Sequence, residues 1–246
     1  MLKRFRTLRH RLLSLWPFPV RVRLQGVTVY VDLRSVVGRT ILRNKPFDPH
    51  LTACLSQELA PGSVFIDVGA NVGYFSIMAL RRVGSTGEVH AFEPHPRSVR
   101  CLTLTQRANP WRNFVIHGLA AGERAGIMGL VEMWEPGHSY LNASDAGTYP
   151  CPVVPLDSWA EYYARRGLNL MKVDVEGAEL NVLRGARELL TICRPVVVCE
   201  VIEANLSRFA TCGAELIEYM AELDYRPEEI EGSWDRNLKF VPASRC

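Results

Sequence analysis

Phe65–Ser76 reads FIDVGANVGYFS. With Val64 in front, VFIDV is a short apolar run suited to a strand buried on both faces. A glycine, an asparagine and a second glycine follow within five positions, and YFSIMALRRV then has helical character up to Gly84, which can end it. Gly69 and Gly73 permit backbone angles and close approaches that a Cβ forbids. The N–H groups at such a helix start favour an anionic ligand group. Tight strand–helix packing alone can also call for glycine here.

Outward from this turn the pattern repeats. EVHAFE reads as a strand, PHPRSVRCLTLTQRA as a helix opened by proline, and NFVIHGLA as a strand. LDSWAEYYARRG reads as a helix with Asp157 or Ser158 as its cap. LNLMKVDVEG is then a strand, ELNVLRGARELL a helix, RPVVVCEV a strand and GAELIEYMAELDY a helix, with NLKFVPA as a closing antiparallel edge strand. Strands alternating with helices imply parallel pairing and right-handed crossovers. The expected class is therefore α/β and Rossmann-like, with a mostly parallel central sheet and helices on both faces. Residues 61–246 form the main domain, and glycines and prolines mark an inserted hairpin and loop at about 122–155. Residues 1–60 form an extension with a hairpin in VRVRLQGVTVYVDL and a helix near 50–60.

In an open parallel sheet the ligand sits beyond the carboxyl ends of the strands, where strand order reverses. The G-x-N-x-G spacing departs from the G-x-G-x-x-G of a dinucleotide site, and no G-K-[ST] is present for a P-loop. Glu93 ends the next strand, where an acid accepts hydrogen bonds from ribose hydroxyls. An acid, a bare turn and a second acid one strand later suit a ligand with adenosine at one end and an amino acid at the other. S-adenosylmethionine has that shape. Its expected contacts are Asp67, Gly69, Ala70, Asn71, Gly73, Tyr74 and Glu93, although Tyr74 equally suits the buried face of its helix. The competing readings are an NAD-type oxidoreductase and a non-catalytic binding protein.

FIDVGANVGYFS, AFEPHP, LDSW and above all LMKVDVEGAELNVLRGA at 170–186 resemble the FkbM family of S-adenosylmethionine-dependent methyltransferases, from about Pro61 to Pro242. The resemblance implies a class I methyltransferase fold and methyl transfer, usually to a hydroxyl oxygen of a sugar or other natural product. The first sixty residues and the insertion match nothing specific in the family, and these regions are expected to choose the acceptor.

Period-two alternation in LMKVDVEG puts Lys172 and Asp174 on one face, with Glu176 and Glu179 near the next helix start. Asp174 and Glu176 are the candidates to orient the acceptor or take its proton, and Lys172 pairs with Asp174 and keeps it ionised. The competing reading has Glu176 and Glu179 serving only the helix dipole. Glu200 is a further candidate. His95 and His138 are either bases or surface residues, and Trp134, Tyr140 and Trp159 are either a lid or core. Two carboxylates at strand ends fall short of a metal signature, so no metal is expected.

With 29 Lys and Arg against 26 acids, the net charge of +3 argues against a nucleic-acid footprint. Residues 1–16 are the exception. MLKRFRTLRHRLLSLW is basic and amphipathic, and suits an anionic membrane surface, a second subunit or the protein's own domain. Pro17 and Pro19 interrupt the apolar stretch, against a secretory signal. Seven scattered cysteines without a CxxC pair suggest neither disulfides nor zinc, and fit a cytosolic setting.

Overall fold

The computed structural model describes residues 16–132, 139–142 and 149–243. The basic stretch up to residue 15, Trp134, His138 and Cys246 lie outside them. β1 (Val20–Leu24) and β2 (Val27–Val31) form the expected hairpin around Gln25 and Gly26. Two short helices follow, α1 (Val36–Leu42) and α2 (Pro49–Gln57), of which only α2 is legible in the sequence. The β-α alternation then begins with β3 (Val64–Val68), α3 (Tyr74–Val83), β4 (Glu88–Phe92), α4 (Pro96–Arg107) and β5 (Phe114–His117).

The insertion holds more strand than a hairpin. β6 (Ala120–Ala121), β7 (Gly126–Glu132), β8 (Ser139–Asn142) and β9 (Tyr149–Val154) make a four-stranded sheet in the order β6-β9-β7-β8. The chain returns to the main sheet through a 3-10 turn at Leu156–Trp159, α5 (Ala160–Arg166) and β10 (Leu168–Val173). The stretch expected as one helix after β10 is two, α6 (Glu179–Arg184) and α7 (Arg187–Cys193). A Cβ on Gly185 would lie 2.0 Å from the Gly122 carbonyl oxygen, so the backbone of the insertion occupies the space at the break. Asp157 does not cap its own helix. Its two oxygens accept from Glu188 N and Leu189 N, capping α7 instead.

β11 (Val196–Glu200), α8 (Glu203–Leu206), α9 (Gly213–Glu222), β12 (Tyr225–Glu229) and β13 (Asn237–Pro242) complete the chain. The main sheet has the order β12-β13-β11-β10-β3-β4-β5. Its β11, β10, β3, β4 and β5 run parallel, and β13 runs antiparallel to both neighbours. The closing antiparallel strand is thus present one place in from the edge, and β12 takes the edge itself. β3, β10 and β11 are buried, with apolar clusters on both faces of the sheet. That leaves the strand ends as the place where polar groups can meet a ligand. Among the described residues no helix is long and apolar enough to cross a membrane.

Candidate functional site

The bare turn is a backbone device. Gly69 has φ +79°, and a Cβ there would stand 1.7 Å from the Asp174 carbonyl oxygen, so the turn after β3 passes directly against the end of β10. The Gly69 and Ala70 N–H groups both donate to Phe92 O, at 2.9 and 3.2 Å. Asn71 is also left-handed, at φ 51°, and its side-chain oxygen accepts from Val72 N. Glu93 closes the turn from the neighbouring strand end. One of its oxygens accepts from Asn71 N at 2.7 Å and the other from His95 N at 2.8 Å. Burial raises the Glu93 pKa to about 7, against the lowering effect of those two N–H donors.

Not every residue of the motif lines the cavity. Asp67 is fully buried; its carboxylate accepts from Ser76 Oγ at 2.6 Å and lies 3.7 Å from Lys172 Nζ. It fastens α3 and Lys172 from beneath the site and does not line the cavity. Gly73 begins α3 at φ +87°, and a Cβ would stand 2.5 Å from Leu102 Cδ2, so this glycine serves packing of α3 on α4. Neither Asp67 nor Gly73, both expected to contact the donor directly, is among the residues that line the cavity.

Lys172 is buried, with its ammonium 3.0 Å from Asp174 Oδ2 and 5.1 Å from the centre of the Phe75 ring. Burial works against its charge, but Asp174 and Asp67 outweigh burial and hold its pKa above the usual lysine value. Beyond β10 the chain wraps around Glu179, one of whose oxygens accepts from Val175 N and Gly177 N. Glu179 is therefore a structural cap, in line with the helix-start reading. Glu176 stands apart from it in the left-handed region, at φ 59°. The Asn205 side-chain amide donates to both Glu176 and Glu200, at 3.1 and 3.3 Å. Burial, then the charges of Asp174, Glu176, Glu179 and Asp235, push the Glu200 pKa up to about 10.

A cavity of about 370 Å³ opens along these strand ends. Of the expected site residues, Gly69, Ala70, Asn71, Tyr74, Glu93, Lys172, Asp174 and Glu176 line it, as does Glu200. His95 lines it too, but as the cap of α4, its Nδ1 accepting from Arg97 N; burial and Arg97 lower its pKa to about 4. Trp159 and Tyr140 do not line it. Trp159 packs edge-on against Phe92 and His117, and Arg208 covers the Tyr140 ring.

Several walls escape sequence reasoning. Asp32 and Ser35 come from the extension and Glu132 from the inserted hairpin, and Arg97 bridges Asp32 and Glu132. Phe47, Trp234 and Asp235 line the cavity as well, with the Phe47 ring edge-on to Tyr74, Phe75 and Trp234. No local motif marks them, because each reaches the cavity only through tertiary packing. Among the described residues no group of His, Cys, Asp and Glu is arranged to hold a metal.

The site fits a nucleoside-bearing ligand on its own geometry. Gly69 leaves a surface without a side chain, Glu93 presents a doubly anchored carboxylate, and the volume is within the range of small-molecule pockets. The family model for the Methyltransferase FkbM domain matches residues 67–227. The chain belongs to the FkbM family of S-adenosylmethionine-dependent methyltransferases, and its fold is the Rossmann-like class I methyltransferase fold.

Among solved structures it is similar to the methyltransferase FkbM from Methylobacillus flagellatus KT, with a TM-score of 0.54 and 20% identity. That match covers 75% of this chain and 44% of the other, so the chain spans less than half the length of that protein. TYW2 of M. jannaschii in complex with AdoMet is similar over 91% of this chain and 86% of its own, at 13% identity and a TM-score of 0.49. Fibrillarin of Aeropyrum pernix with natively bound S-adenosyl-L-methionine is similar over 78% and 73%, at 13% identity and a TM-score of 0.46. No curated protein matches the chain.

Proposed function

We propose that this methyltransferase methylates a hydroxyl oxygen of a sugar, glycan or other hydroxyl-bearing natural product. S-adenosylmethionine, when bound, supplies an already activated methyl group, so alignment carries most of the acceleration. Glu93 accepts the ribose hydroxyls on the lone pairs left over from Asn71 N and His95 N. Gly69, Ala70 and Asn71 present the turn to the amino-acid end, and Tyr74 closes the pocket beside them. Asp67 and Gly73 support that arrangement from below. At the other end Asp174 takes the acceptor's proton as the oxygen attacks, Glu176 orients the hydroxyl, and Lys172 holds Asp174 in place.

The observation that carries this reading is the placement of Glu93 and Asp174 on one cavity, two strands apart with the Gly69 turn between them. An NAD-type oxidoreductase finds no support in the turn or in the family. The test is titration with S-adenosylmethionine and with NAD, followed by release of S-adenosylhomocysteine on addition of hydroxylated acceptors. Binding of NAD in place of S-adenosylmethionine would overturn the reading. So would donor binding without product for any hydroxyl acceptor, which would leave a binding protein.

A further inference from the structure

β13 runs antiparallel to β11 and pairs Asn237 with Glu200, so the loop 230–236 returns to the ligand end of the sheet. It brings Trp234 and Asp235 to the cavity wall. Asp48 ties the loop down from the N-terminal extension. One of its oxygens accepts from Ser233 Oγ at 2.7 Å and Trp234 N at 2.9 Å, while the other caps α2 through Leu51 N. Asp48 is buried and held at φ 36°, a left-handed conformation that few residues adopt without compensation.

A half-exposed indole means little by itself. Here a buried carboxylate fixes the backbone N–H of the residue that carries it. Trp234 as a residue is 54% exposed; its ring stands edge-on to Phe47, with centroids 4.9 Å apart, and the residue lines the cavity.

Sheet order separates this wall from the nucleoside end. Glu93 follows β4 and Glu200 ends β11, three strand spacings away, or roughly 14 Å. Trp234 therefore borders the space left for the acceptor. The polar groups around it are the Glu200 carboxyl, whose raised pKa keeps it protonated at neutral pH, and the Asp235 carboxylate, with Asp174 and Glu176 beyond. Of the cations that line the cavity, Lys172 pairs with Asp67 and Asp174 and Arg97 with Asp32 and Glu132, while Arg34 lies by His95 at the nucleoside end; beside the wall, Arg208 pairs with Glu176.

We propose that Trp234 is the platform on which the acceptor stacks, with Glu200 and Asp235 accepting its hydroxyls, and that the acceptor is a pyranose ring without anionic substituents. A pyranose offers an apolar C–H face and an edge of O–H donors. The negative face of the indole suits the first and carboxylates suit the second. A uronate or phosphate would meet the carboxylates of Asp174, Glu176 and Asp235, with Lys172 and Arg208 already paired to acids and Arg34 lying toward His95 at the other end. Asp48 is a positioning residue for Trp234. The inference rests on the methyl-transfer reading above.

The test is calorimetric titration with S-adenosylhomocysteine present, using methyl glycosides of neutral hexoses and the matching methyl glucuronides. A neutral glycoside is expected to bind the wild type and its glucuronide at least tenfold more weakly. Trp234→Ala should weaken the neutral glycoside about tenfold, and Trp234→Phe should restore most of that loss. Asp48→Asn should weaken the glycoside as well. All three variants should keep the wild-type affinity for S-adenosylhomocysteine, a readout that general misfolding would move. Equal glycoside binding by Trp234→Ala, equal binding of the glucuronide, or no binding by any neutral glycoside would overturn the proposal. If S-adenosylhomocysteine itself failed to bind the wild type, the fault would lie with the methyl-transfer reading, and the proposal would fall with it.

Discussion

Glu93 accepts its hydrogen bonds from the backbone at residues 71 and 95, no more than 22 positions away in the chain. At the opposite end of the cavity, Glu176 and Glu200 share the side chain of Asn205, and Trp234 is anchored by Asp48 from 186 positions away. The first end is a strand–turn–helix with a neighbouring strand tip, held by backbone donors. The second is assembled from side chains on the extension, two strand ends, α8 and a hairpin loop. A ligand common to many enzymes can be met by the first kind of construction, since its geometry depends little on side-chain identity. Selection among acceptors needs the second, where single substitutions change shape and charge.

The comparison can be broken by substitution at either end, and the largest effect belongs to the reaction itself. Asp174→Asn is expected to lower turnover about 10²–10⁴-fold, the usual contribution of a positioned general base. Donor affinity should remain unchanged in calorimetry. Glu176→Gln should lower turnover in the same direction by less. Unchanged turnover in the Asp174 variant would remove the base from this end of the cavity.

Lys172→Met tests the link between the two ends, because its ammonium lies between Asp67 under the turn and Asp174 at the acid cluster. Removing one partner of a buried ion pair costs about 3–5 kcal/mol. For a chain of this size that is a fall in Tm of roughly 6–20 °C. A variant as stable as wild type would show that the two ends are not coupled through this residue.

Glu93→Ala is expected to weaken S-adenosylmethionine binding by about 1.5–3 kcal/mol, as for hydrogen bonds to a charged group. That corresponds to about 10–100-fold. A smaller effect comes from pH. Glu93 has a pKa raised to about 7, and the ionised form accepts ribose hydroxyls best, so donor affinity should rise from pH 6 to 8 and level off above. The rise is at most about tenfold per pH unit below the pKa, with uptake of donor releasing a proton. Without ligand the sign is reversed for stability. A carboxyl whose pKa is higher folded than unfolded contributes less stability as pH climbs from about 4.5 to 7, and Glu179, also raised to about 7 by burial, acts in the same direction.

The same division decides what can be read from the sequence. The glycine turn, the acid ending β4 and the helix opened by Pro96 are local signals, and each stands where the pattern puts it. VFIDV is buried along its whole length, so alternation could not say that Asp67 lies behind Lys172 and off the cavity wall. The break between α6 and α7 and the use of Asp157 as the cap of α7 depend on the path of the insertion, which leaves no trace in local periodicity. β12 reads YRPEE, with one buried residue and no apolar alternation, so its role as the edge strand is invisible beforehand. Trp234 and Asp48 are both silent in sequence for the same reason.

The most direct measurement is a calorimetric titration of S-adenosylmethionine into the wild type, Glu93→Ala and Trp234→Ala. The account predicts that wild type and Trp234→Ala bind equally and that Glu93→Ala binds about 10–100-fold more weakly. Equal binding by all three, or loss in the Trp234 variant alone, would contradict it.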